Sequence, residues 1–346
     1  MELESKCFPV GALPYQEEAQ ITRMMVRLFE RMPYLPFLPN IPESSDILHR
    51  TFGNIEGIAI EDDKILMHDV SGFFISMIDK LDEIYGNPDA QALESFNFNT
   101  FYMDKYLQIV ERIKPKHTVI NLLGPFTMAK LIKSAGIFPL ADKLYRKFII
   151  QTLSIKSLWI INKIKQHSKN TTPIIMLEEP KLNEFGVIRK KNESITRELI
   201  VNLYSKIFQG IRSAGALAGI QSFNKCDWQI PIDAGVDIIS IDAYNNYGNL
   251  TIIAPKIREL LERGGYINLG LVPVQSENII KNLSIEKLYD KFIAVTGAII
   301  ASGVERKLLY NNISVSIQGN VSKYPIIFAE KALMLASKLA SRIPNP

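Results

Sequence analysis

TPIIMLEEP, residues 172–180, holds a run of apolar side chains too short for a helix and ends on two acids and a proline. That combination reads as a β-strand running into a turn. Working outward, the same form recurs in HTVINLLGP (117–125), ALAGIQSF (216–223), VDIISIDAY (236–244), GYINLGLVP (265–273) and NISVSIQG (312–319), and an earlier strand is expected over Cys7 to Leu13. Between strands lie helical patterns. The segment ITRELIVNLYSKIFQGIRSAG carries apolar residues at helical spacing and closes on a glycine, and Ser284 to Ser302 repeats the pattern. Strand, helix and strand in alternation is the signature of a parallel α/β sheet. An open doubly wound sheet normally carries a phosphate-binding glycine loop after its first strand, and neither GxGxxG nor GxxxxGK[ST] is present. The expectation is therefore an α/β fold, a single (β/α)8 TIM barrel over residues 1–346, with seven strands assigned and the eighth unplaced.

Two stretches fall outside the repeat, and residues 32–69 are read as an insertion before it. MPYLPFLPNIP (32–42) packs four prolines among aromatics, cannot form a helix interior, and is expected to wrap the barrel as an ordered loop. IEGIAIEDDKILMHD (55–69) reads as a hairpin turning at Asp62 and Asp63.

Bulk properties narrow the function. A chain of 346 residues, 47% hydrophobic and 22% charged, can bury a large core without cross-links. Its formal charge of +4 is spread along the chain, which argues against nucleic acid as partner. The densest basic run, Arg189 to Lys191, reads as a solvated loop. Cys7 and Cys226 read as reduced thiols, no signal-peptide pattern opens the chain, and the longest uncharged apolar run is too short for a bilayer. The expected address is the cytoplasm, with no membrane partner.

Barrel active sites lie where strands end, so the candidates are Asn121, Glu178, Glu179, Gln221, Asp242, Gln275 and Gln318. Alternation should send one of Glu178 and Glu179 into the barrel, where a carboxylate could bind an amine, move a proton or ligate a metal; the structural alternative is an acid at a helix start. Asp242 closes an apolar strand, a costly place for an acid unless it is hydrogen-bonded or faces a pocket. Asp242, Glu178 and Glu179 are the catalytic candidates. Gln221, Gln318, Asn121, Gln275, Trp228 and Tyr244 are the substrate-contact candidates, although Asp227 and Trp228 also suit capping and packing. Cys226 reads as an inert core thiol. His49, His68, His117 and His167 form no HxH, HxC or HExxH arrangement, and no GxSxG elbow occurs, so neither a local zinc site nor serine hydrolase chemistry is indicated.

The order of strand-end motifs, VGALP, MPYLPFLPNIP, LLGPFT, LEEPKL, CDW, IISIDAY, RGGYINLGLVP and SIQG, resembles the barrel superfamily of cobalamin-independent methionine synthase and uroporphyrinogen decarboxylase, specifically its short methionine-synthase-like branch. The resemblance covers nearly the whole chain. It implies a (β/α)8 barrel and, in active members, a zinc that turns a substrate thiol into a thiolate for methyl transfer. The implied ligands are a His-x-Cys pair before the DW motif, an acid on the next strand and a Cys in a late turn. At those positions this sequence has Gln221, Phe223, Asp242 and Gln318, so of the implied set only Asp242 is kept and no metal is expected. Gly124, Pro125 and Thr127 match the family's GPxT turn, and Glu179, Pro180 and Pro273 match further motif positions. The resemblance leaves open a corrinoid or folate methyl donor and a corrinoid protein as partner. Three readings follow: a methyltransferase-like enzyme acting on a small thiol or a corrinoid-linked methyl group, a metal-independent tetrapyrrole-binding or decarboxylase-like protein using Asp242, and a non-catalytic barrel that holds a small molecule in its mouth by neutral hydrogen bonds.

Overall fold

The computed structural model describes residues 3–41, 47–53, 55–67, 71–98, 101–134 and 136–344. A two-stranded antiparallel hairpin, β1 (Ile58–Glu61) and β2 (Lys64–Met67), turns at Asp62 and Asp63, both with positive φ as a tight hairpin turn requires. His68 and Asp69, at the end of the expected hairpin segment, and Pro42 lie outside the described residues. The main sheet is parallel and six-stranded in sequence order: β3 (His117–Leu123), β4 (Thr172–Glu178), β5 (Leu217–Ser222), β6 (Ile238–Asp242), β7 (Tyr266–Val272) and β8 (Ile313–Ile317). Each strand falls inside a segment read from sequence. Most strand residues are buried, because helices cover the sheet.

Cys7 to Leu13 is not a strand. It pairs with the sheet by one bridge, Cys7 to Val315 in β8, and a second bridge joins Ala12 to Phe37 outside the named strands. Pro9 has no N–H to give a ladder, and Gly11 sits at φ +85°, where a Cβ would stand 2.5 Å from the Gly319 carbonyl oxygen. The proline-rich segment does more than wrap the outside. Tyr34 bridges Val119 in β3, Leu35 N donates to Val119 O at 3.1 Å, and Leu13 N donates to Phe37 O at 2.9 Å. A path of single bridges thus runs from β8 through residues 7–12 and 34–37 back to β3. The region before β3 is also longer than expected, with helices at Ile47–Phe52, Ser71–Gly86, Ala90–Glu94 and Met103–Ile113.

The crossover helices begin on the caps their sequences offer. Asp142 caps Lys143–His167, Thr196 caps Arg197–Ser213 and Ser284 caps Ile285–Ala301, each accepting a first-turn N–H. Among the described residues no helix is long and apolar enough to cross a membrane.

Candidate functional site

Register places the inward side chains. Glu178 lies beside Gln221, Gln221 beside Ser240, Ser240 beside Asn268, and Asn268 beside Ser314, so one polar row crosses five strands on one face. That face is the interior of the curl: Phe223, two residues beyond Gln221, reaches past β6 to β7, where a Cβ on Gly270 would meet its Cε1 at 3.3 Å. The strands are regular up to this level. A register shift between Gly270 and Val272 then bends β7 next to the mouth.

The row divides into two parts. On β6 to β8, Asn268 Nδ2 donates to Ser240 Oγ and Ser316 Oγ, both at 2.8 Å, and Asn268 Oδ1 accepts from Ser314 Oγ at 3.3 Å. Above them Gln275 Nε2 donates to Gln318 Oε1. Asp242 accepts from the Asn245 backbone N–H at 3.0 Å and from the amides of Asn245 and Asn246 at 3.1 and 2.9 Å, so it caps the short helix Ala243–Asn246. On β3 to β5, Asn121 Nδ2 donates to Glu178 Oε1 at 2.6 Å, but Asn121 Oδ1 and Gln221 Oε1, both buried, find no donor among the described residues. Burial raises the Glu178 pKa, while the Asn121 hydrogen bond and the positive charge of Arg50 draw it back. Arg50, fully buried, reaches the carbonyls of Leu35 at 3.0 Å, Pro36 at 2.9 Å and Asn121 at 3.5 Å, and stacks on the Phe37 ring at 3.8 Å.

Glu179 points the other way. Its carboxyl receives the N–H groups of Phe126 and Thr127 at 2.9 Å, the Thr127 hydroxyl at 2.6 Å and the Tyr204 hydroxyl. It is wholly buried against the first turn of the helix Pro125–Leu131, and a Cβ on Gly124 would come within 2.3 Å of it. Burial raises its pKa against the pull of those four donors. The geometry gives Glu179 a joint between sheet and helix layer, and leaves Glu178 as the half-buried acid that faces the mouth.

The other candidates scatter. Trp228 is buried as packing, with Asp227 accepting from Gln229 N at 3.0 Å. Tyr244 turns its ring to Lys291, whose Nζ lies 5.1 Å from its centroid and 4.6 Å from that of Tyr247. Cys226 has its thiol pKa pushed up by burial, which suits an inert group. Sequence reading missed Arg50, Ser240, Asn268, Ser314 and Ser316. The polar residues inside otherwise apolar strands, Ser240 in IISID and Asn268 in YINLGLV, were the available signal.

The zinc implied by the resemblance does not fit. Gln221, Phe223 and Gln318 offer amide, ring and amide, and Asp242 is engaged by its three donors. Among the described residues no group of three or more His, Cys, Asp or Glu side chains could hold a metal ion.

No family model matches the chain, and no curated protein matches it. Among solved structures, a methyltransferase from Methanosarcina mazei superposes with a TM-score of 0.52 over 97% of this chain and 93% of that one, at 12% identity. A GH5-4 endoglucanase from Bacteroides salanitronis gives a TM-score of 0.43 over 87% and 86%, at 10% identity. The first likeness is one of fold alone.

Proposed function

We propose that this protein is a methyltransferase-like (β/α)8 barrel, related by motif order to the methionine-synthase-like branch, whose mouth binds a small molecule rich in hydrogen-bond donors without a thiolate zinc centre. The observation that carries this reading is the pair of buried amide oxygens, Asn121 Oδ1 and Gln221 Oε1, without donors beside Glu178. A buried acceptor left unpaired costs about 1–3 kcal/mol, and a ligand N–H or O–H recovers it. Glu178, biased toward its protonated form, supplies an acid or base at the same place. The bridges at Cys7, Ala12, Tyr34 and Phe37 support counting the two irregular segments as the missing strands of a closed barrel.

Within this reading the ligand includes a corrinoid or folate methyl donor, the former delivered by a corrinoid protein. The tetrapyrrole alternative leans on Asp242, whose carboxylate is already taken by three donors, and is the weaker of the two. Calorimetric titration with homocysteine, methylcobalamin, 5-methyltetrahydrofolate and coproporphyrin tests it, on wild type and on Asn121→Leu and Gln221→Leu. One ligand should bind saturably and each substitution should weaken it at least tenfold. Failure of all four ligands, or unaltered binding in both variants, would overturn the reading.

A further inference from the structure

A second candidate site lies on the outer wall, away from the mouth. A groove of about 870 Å³ runs between the helices Lys143–His167 and Arg197–Ser213 and is walled by Tyr85 from the helix Ser71–Gly86. One end is basic: Lys143, Arg146, Lys147 and Lys206 line it, and the one carboxylate paired with any of them, Asp82, takes Lys147 and the Gln151 amide. Lys143 and Lys206 have no ion-pair partner among the described residues, and Arg146 donates to the Leu140 carbonyl. Tyr85, Gly210 and Ser213 continue into a narrower slot of about 230 Å³ with an apolar wall of Ile84, Ile155 and Leu158.

Two further features shape the wall. Gln151 and Ser154 are 5% and 8% exposed, and Gln151 Oε1 and Ser154 Oγ have no partner among the described residues. Gly210 borders the slot, where a Cβ would come into ordinary contact with Ser154 Oγ at 3.4 Å, so a longer side chain there would enter the slot.

We propose that this groove binds an anionic amphiphile, a phosphate head on a single short aliphatic chain, with the head among Lys143, Arg146 and Lys206 and the chain in the slot beside Gly210. Charge selects the head. The slot has room for roughly eight waters at about 30 Å³ each, enough for an alkyl chain, whereas a docking helix is about 10 Å across.

The test is calorimetric titration of the full chain with decyl phosphate, inorganic phosphate and decanol. Decyl phosphate should bind saturably and at least tenfold more tightly than either fragment. The double variant K143E/K206E should weaken it at least tenfold, and G210L should weaken decyl phosphate while leaving inorganic phosphate unchanged. Both changes sit on exposed or half-buried positions, and circular dichroism checks that each variant folds. No saturable binding by decyl phosphate, equal binding of inorganic phosphate alone, or unaltered affinity in both variants would overturn the proposal. The mouth substitutions Asn121→Leu and Gln221→Leu should leave this binding intact, which separates it from the mouth.

Discussion

The two halves of the curled sheet's mouth use the same kinds of residue to opposite effect. Across β6 to β8, Asn268 ties three serines, Gln275 meets Gln318, and Asp242 meets two asparagines. Across β3 to β5, Asn121 and Glu178 share one hydrogen bond, and two amide oxygens are left over. The first half spends its polar groups on itself, so it behaves as core. The second leaves two acceptors unspent among the described residues, which is the contrast the proposed function rests on.

Substitutions can break that contrast, and the largest effect should come from the satisfied half. Asn268→Ala removes the shared partner of Ser240, Ser314 and Ser316 in a fully buried layer, and should cost about 3 kcal/mol in denaturant unfolding. A loss near zero would mean that water enters the layer freely. Next is the wall behind the open half. Gly124→Ala drives a methyl into the Glu179 carboxyl and should cost about 2 kcal/mol on the same measurement; an unchanged midpoint would show that Glu179 is not the rigid joint described above.

A third test uses pH. The folded-state pKa of Glu178 is raised, so the folded chain holds that proton more tightly than the unfolded chain. Its contribution is present below the ordinary carboxylate range and is lost as pH rises through the raised value. Glu178→Gln should therefore flatten the decline of stability with pH above that range, leaving the part due to Glu179 and Asp237, whose pKa values are also raised. Melting temperatures of both proteins across the range check this, and parallel curves would refute it. Smallest should be Gln221→Leu, within about 1 kcal/mol of wild type, because it removes an acceptor that was already unpaired; Asn121→Leu should cost more, since it also takes the Nδ2 donor from Glu178. Losses as large as that of Asn268→Ala would erase the difference between the halves.

Much of this architecture could be read before any coordinates. Six apolar runs became the six strands of the main sheet, and Asp62 and Asp63 marked the turn of the separate β1–β2 hairpin, because strand burial and turn chemistry are written locally. Cys7–Leu13 was expected as a strand and is not one, and the proline-rich stretch bridges β3 where only a wrapping loop was expected, because Pro9, Pro33 and Pro36 remove ladder donors and the bridges both make depend on partners far away in sequence. The same limit applied at the mouth. That one acid of the pair faces inward followed from alternation, but which one did not, since it turns on the four donors around Glu179, spread from Phe126 to Tyr204. Arg50 gave no signal, being one arginine in a short helix outside the repeat.

The bridges that carry the sheet edge from β8 back to β3 also order events in time. The Ala12 N–H donates its hydrogen bond to Asn320 Oδ1, 308 residues further along. On a ribosome the segment Cys7–Leu13 is made before Asn320 and must wait for the residues between them before its partner exists. Contacts that distant form late, after the entropy of a very long loop has been overcome. The segment Cys7–Leu13 acts as a latch rather than a nucleus. Hydrogen exchange during refolding should protect β3 to β7 well before Phe8 and Leu13, and simultaneous protection would show that the segment docks together with the sheet.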